Sequence, residues 1–204
     1  MGRFLTIILL TAFWVLPGRT LLGANWDEAV SGDLSDVGTA PTFINFTLGS
    51  NMIEGEMGWD GSALDMDMWT FTLASGYEVN QINLVAYSAG TPATNHYIAF
   101  SGSSTIDDIF NTTNNLSNAY WTWSGSTIDM MALLDAGPVN GGLGFTPPLG
   151  AGDYTFLLSE TFGYGGTQTI SYSMDFVVTA VPEPSSAMLL LSSVLMLNRR
   201  RRRK

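Results

Sequence analysis

The sequence predicts an all-β chain, an antiparallel β-sandwich of jelly-roll-like form, for its central part. Three observations predict it. Apolar and polar residues alternate with period two in several separate stretches, the pattern of strands that bury one face. Clusters of Gly, Asn, Ser and Pro divide those stretches, and 22 glycines suit a loop-rich β protein. A helical pattern is convincing only at Ile128–Leu134, enough for a turn or two. Strands that each bury one face pack most simply as two sheets, and roughly eight of them make a jelly roll.

Taken in order, Asn25–Thr42 is polar and acidic, with Asp27, Glu28, Asp33 and Asp36 around Gly32 and Gly38, and reads as a lead-in segment or extended arm. Strands begin after it. Phe43–Leu48 ends at Gly49-Ser50-Asn51, and Met52–Gly58 alternates loosely. Trp69, Phe71 and Leu73 alternate with Thr70 and Thr72 before Gly76 turns the chain. Val79–Tyr87, His96–Phe100 and Tyr154–Leu158 repeat the pattern. The clearest strand is the last, with Ile170, Tyr172, Met174, Phe176 and Val178 on one face and Ser171, Ser173, Asp175, Val177 and Thr179 on the other. No internal repeat is visible.

The two ends have a different character. Arg3 precedes an almost uninterrupted apolar stretch, Phe4–Leu16, which has the size of a signal-peptide core and is too short to span a bilayer. Leu22-Gly23-Ala24 places small residues before a cleavage site after Ala24, so residues 1–24 read as a signal peptide. At the other end stands Val181-Pro182-Glu183-Pro184-Ser185. Each proline lacks an N–H and locks φ, so the two end whatever strand precedes them. An uncharged, Leu- and Met-rich run follows to Leu197. As a helix, Val181–Asn198 would cover roughly 27 Å at about 1.5 Å per residue, close to the thickness of a thin hydrocarbon layer, and reads as a transmembrane segment. Arg199, Arg200, Arg201, Arg202, Arg203 and Lys204 then act as a membrane stop on the cytoplasmic side. A basic tail that binds nucleic acid is the other reading of this cluster, but the apolar run before it has no polar face. The chain therefore divides into residues 1–24, an exported domain 25–180, and a tail 181–204.

The Pro-Glu-Pro motif, the apolar helix and the terminal Arg cluster, in that order, resemble the PEP-CTERM sorting signal of exported bacterial proteins. The resemblance covers residues 181–204. It implies a partner, an exosortase-like intramembrane cysteine transpeptidase that cuts near Pro182–Pro184 and releases or re-anchors the protein, often where extracellular polysaccharide is made. It also implies a path: inner membrane as a precursor, then the cell surface or the exterior. The stretch Leu149–Phe156 and the final strand Tyr172–Val178 resemble the closing strands of many small PEP-CTERM proteins. Asp65–Phe71 resembles a strand of the bacterial pre-peptidase C-terminal-like β-sandwich, which bears on fold and not on activity.

Charge separates the exported domain from both ends. All 8 Lys and Arg residues lie at Arg3, Arg19 or Arg199–Lys204, whereas all 18 acids lie between Asp27 and Glu183. Residues 25–180 thus form no Lys or Arg salt bridge, and they repel nucleic acid and anionic lipid. With 0 cysteines, no disulfide supports the domain, and its stability comes from burial.

Catalytic signatures are missing. The chain has 1 histidine, His96, no Gly-x-Ser-x-Gly, and no cysteine or lysine nucleophile in residues 25–180. His96 reads as a surface or hydrogen-bonded strand residue. A two-carboxylate glycosidase needs only acids, but any pair would serve and no separation is given. Calcium is the more physical candidate: Glu54, Glu56, Asp60, Asp65 and Asp67 crowd one loop and strand start, with Gly55, Gly58 and Gly61 allowing a tight wrap of hard oxygens. The plainer alternative is a set of acids that solvates a loop. A glycan face is the third candidate, built from Tyr120, Trp121 and Trp123 within the Asn- and Ser-rich region Asn111–Ser126. Its alternative is that alternating aromatics belong to the core. Sequons at Asn45, Asn111 and Asn115 are incidental in the bacterial setting that the tail implies. The expectation is a non-enzymatic exported surface or matrix protein, with a Ca²⁺-dependent or polysaccharide-binding sandwich as the alternative.

Overall fold

The structure, a computed structural model, describes residues 25–59, 61–89, 96–106, 114–122, 125–160 and 168–181. The expected signal peptide and the tail beyond Val181 lie outside these residues, as do Asp60 and Trp123.

Two mixed sheets pack face to face. The first contains, in order, β1 (Asn25–Asp27), β3 (Gly49–Trp59), β11 (Gln168–Ala180), β6 (Tyr77–Ala89) and β9 (Ile128–Asp129), with β4 (Leu64–Asp65) pairing the end of β3. The second orders β2 (Thr42–Phe43), β5 (Asp67–Leu73), β10 (Gly152–Glu160), β7 (His96–Ser101) and β8 (Asn115–Trp121). Without β1, β2 and β4, the remaining strands form the two four-stranded layers β3-β11-β6-β9 and β5-β10-β7-β8, every neighbouring pair antiparallel. That is the order of a jelly roll. The pairs β3·β11, β5·β10, β6·β9 and β7·β8 are the rungs of one long hairpin rolled onto itself. The sandwich expected from the alternation is therefore the fold, and its antiparallel body carries two parallel additions, β1 on β3 and β2 on β5.

Alternation decides which side chains meet between the layers. On β11 the even residues from Ile170 to Val178 are buried, and on β5 the odd residues Asp67, Trp69, Phe71 and Leu73 are. Phe176 stands edge-on to Phe156 at 5.1 Å and 83° and to Trp69 at 6.0 Å and 87°, so aromatic rings from both layers interlock. Phe46 stacks on Phe71 at 4.1 Å. Such contacts add to the burial of the rings themselves, at about 0.5–1.5 kcal/mol per well-placed pair.

Two expectations change. Phe43–Leu48 is not a strand beyond Phe43: the residues that follow are irregular, and the buried Asn51 side chain, in place of a neighbouring strand, binds the Thr47 backbone. It accepts from Thr47 N–H at 2.8 Å and donates to the carbonyls of Thr47 and Phe176 at 2.9 and 3.1 Å. Nor is Asn25–Thr42 an arm apart from the domain. Trp26 pairs with Ile53, Leu34 is buried, and Met68 N–H donates to Ser35 O at 3.0 Å. The segment also folds into α1 (Glu28–Ser31), with Asp27 as its N-cap. The helical patch appears as α2 (Met130–Asp135), capped by Asp129, whose carboxylate accepts from Ala132 N–H at 2.9 Å.

Candidate functional site

At the edge where β1 and α1 meet the sandwich, a cleft of about 560 Å³ opens, lined by Asp27, Glu28, Asp33, Glu54, Glu56 and Asp65. Tyr172 and Gly55 form part of its wall. Local structure explains each position. Glu28 is the first residue of α1, and its carboxylate accepts from Leu34 N–H at 2.9 Å and from Glu56 N–H at 2.6 Å. It thereby closes the turn after α1 and continues the hydrogen bonding of β1 along β3. Asp33 follows Gly32, whose φ of 93° reverses the chain at the helix end. Asp67 opens β5 in the inward row that continues as Trp69 and Phe71, which places a carboxylate where the alternation calls for an apolar side chain.

One carboxylate oxygen from each of Glu28, Asp33 and Asp67 lies within 4.8 Å of the others. Asp67 is fully buried, and among the described residues neither of its oxygens has a hydrogen-bond partner. Tyr172, 3% exposed on β11, also keeps a buried hydroxyl without a partner. Burial pushes the Asp67 carboxyl up to about 9. The neighbouring Tyr172 hydroxyl offsets part of that rise without reaching full hydrogen-bond geometry, while the charges of Glu28 and Asp65 add to it. Burial also raises Glu28, against two backbone N–H donors, and it raises Tyr172 well above the usual phenol range. The group is hard-oxygen only, and a retained proton or a bound cation would satisfy it.

Of the acids expected to hold calcium, Glu54, Glu56 and Asp65 line the cleft without joining this group of three. Glu54 and Glu56 alternate with the inward Gly55, so both face outward and are exposed. There Ser173 Oγ donates to Glu54 at 3.2 Å and Ser171 Oγ to Glu56 at 3.0 Å. Asp65 is half-buried on β4, and Asp60 is outside the described residues. Of the expected set, Asp67 alone belongs to the convergent group; Glu28 and Asp33 complete it from a segment read as a lead-in. The outward acids show how a domain without Lys or Arg settles its charge, since Asp175 and Asp153 likewise accept from Ser50 Oγ and Thr72 Oγ1 at 2.6 and 2.7 Å.

Of the three aromatics expected to form a glycan face, two are described. Tyr120 and Trp121 are adjacent on β8 and point to opposite faces: Tyr120 is 39% exposed, whereas Trp121 is 5% exposed in the core. Trp121 packs on Tyr87 and His96 with ring centroids 5.1 and 4.6 Å apart. Trp123 lies outside the described residues. His96 itself is buried at the start of β7, where the Tyr87 hydroxyl hydrogen-bonds its Nε2, and burial lowers it to about 4. It is a hydrogen-bonded strand residue, neutral at physiological pH.

The family described as the PEP-CTERM protein-sorting motif matches residues 180–204, beginning on the last residue of β11. No curated protein matches the chain. The chain therefore carries the sorting signal its tail resembles, and it is an exported protein of the kind an exosortase-type enzyme processes at the membrane. No helix among the described residues is long and apolar enough to cross a membrane, and the apolar tail read as a spanning helix lies outside them.

Proposed function

We propose that this exported, exosortase-sorted chain is a non-enzymatic surface or extracellular-matrix protein whose jelly roll is the displayed part. The matched sorting motif carries the reading: it directly follows the strand that closes the sandwich, so processing near Pro182 leaves residues 25–180 whole. The environment of His96 supports it, because a buried, neutral imidazole packed on Trp121 does not reach a substrate as a general base. The precursor sits in the inner membrane with Arg199–Lys204 in the cytoplasm, and the domain faces outward.

The intact mass of the protein from its native host, taken separately from membrane and medium, tests this. A chain beginning near Asn25 and ending between Pro182 and Ser185 agrees with release or re-anchoring after the cut. A chain that keeps Arg199–Lys204 in the membrane would make the tail a permanent anchor and remove the sorting reading.

A further inference from the structure

We infer that Glu28, Asp33 and Asp67 form a calcium site that latches the N-terminal segment onto the open edge of the jelly roll. Three carboxylate oxygens within 4.8 Å of one another repel when all are ionised, and either a retained proton or a cation among them relieves it. A surface cluster of acids would carry no such meaning, since water satisfies it. Here, beyond the spacing of the cluster, Asp67 is fully buried with neither oxygen hydrogen-bonded among the described residues, and Tyr172 brings a second buried oxygen without such a bond to the wall of the cleft. Native proteins rarely leave such groups unsatisfied. The chain offers no fixed cation of its own, because no Lys or Arg occurs between Arg19 and Arg199.

The donor chemistry selects the ion. Every available atom is a hard oxygen, and the cleft leaves room for the waters that complete the six to eight positions Ca²⁺ takes. Two backbone N–H groups already fix the Glu28 carboxylate, so little ordering remains to be done on binding. Gly55 keeps the space open: a Cβ there would stand 2.7 Å from the Tyr172 hydroxyl oxygen and 3.1 Å from the Glu28 carboxylate carbon.

Position gives the ion its role. Glu28 and Asp33 belong to the segment paired on β3, and Asp67 begins β5 in the opposite sheet. A bound ion joins both layers and the segment at once, and an exterior supplying millimolar calcium keeps it closed. The latch needs export only as a source of calcium and is the same whether the tail is cut or kept.

The test is calorimetric titration of the full-length chain, held in mild detergent, with CaCl₂ alone, together with thermal melts in Ca²⁺ or EGTA. One ion should bind per chain with a dissociation constant of about 0.1–1 mM, and the melting temperature should rise with calcium. Asp33→Asn, at an exposed position, should weaken binding at least about tenfold. Asp67→Asn should melt at or above the parent in EGTA yet lose the response to calcium, whereas Asp153→Asn, remote from the cleft, should respond as the parent does. Absence of heat and of any melting shift up to about 10 mM Ca²⁺ overturns the proposal. So does a response that survives in both Asp33→Asn and Asp67→Asn, or one that Mg²⁺ reproduces at equal concentration, since either is plain screening of an acidic surface.

Discussion

Gly55 on β3 and Tyr172 on β11 face each other so closely that a methyl group on Gly55 would stand 2.7 Å from the tyrosine oxygen and 2.9 Å from Cζ. Tyr172 is buried and has little room to retreat. Gly55→Ala should therefore lower stability by about 1–3 kcal/mol through overpacking. Adding Tyr172→Phe should restore part of the loss by removing the nearest atom. Denaturant unfolding of the parent, the single and the double variant measures this, and an alanine variant as stable as the parent would show that the ring yields freely.

Asp67 gives the domain a stability that depends on pH in calcium-free buffer. Its folded-state value of about 9 lies above the ordinary 3.8, so the folded chain keeps a proton that the unfolded chain releases. This contribution is full below the lower value and is lost as the pH climbs toward the upper one. Melting temperature should fall across that interval, and Asp67→Asn should flatten the slope.

His96 acts in the opposite direction. Its value drops from 6.5 to about 4 on folding, so between those limits the unfolded chain takes up a proton that the buried ring refuses. Acidification through this window should cost on the order of 2–3 kcal/mol, complete near the lower limit. His96→Gln should remove the effect in melts recorded across acidic buffers.

Trp121 contributes to the core. Trp121→Ala should destabilise the domain by roughly 3–5 kcal/mol, whereas Tyr120→Ala, on the outer face, should cost less than about 1 kcal/mol. Urea unfolding of the two variants compares them directly, and equal losses would contradict the alternation of β8.

The sequence shows most clearly what strand periodicity writes into it. Ile170–Val178 alternates cleanly and is buried as read. Met52–Gly58 alternates just as regularly in space but looks loose, because its inward positions include Gly55, which no apolar residue marks. The acidic group follows the same logic in reverse. Glu54 and Glu56 are near neighbours in sequence and face outward together, while Glu28 in α1 and Asp33 just after it meet Asp67 of β5 only once the N-terminal segment has packed on the sandwich. The adjacent aromatics obey the same rule: consecutive strand residues such as Tyr120 and Trp121 cannot share a face. A polar residue in an apolar row, Asp67 ahead of Trp69 and Phe71, was the legible trace of the site.

The place of β11 bears on how the chain matures. It lies between β3 and β6, which make no ladder with each other, and its last residue pairs with Tyr77 just before Val181 N–H closes on Gly76 O at 2.8 Å. The two halves of the first layer are thus joined only through the strand that adjoins the sorting motif. Sequence-distant pairing of this sort comes late in folding. A product terminated before or within β11 lacks both the strand that completes the sheet and the address behind it, so the signal a processing enzyme reads doubles as a certificate that the domain can be whole.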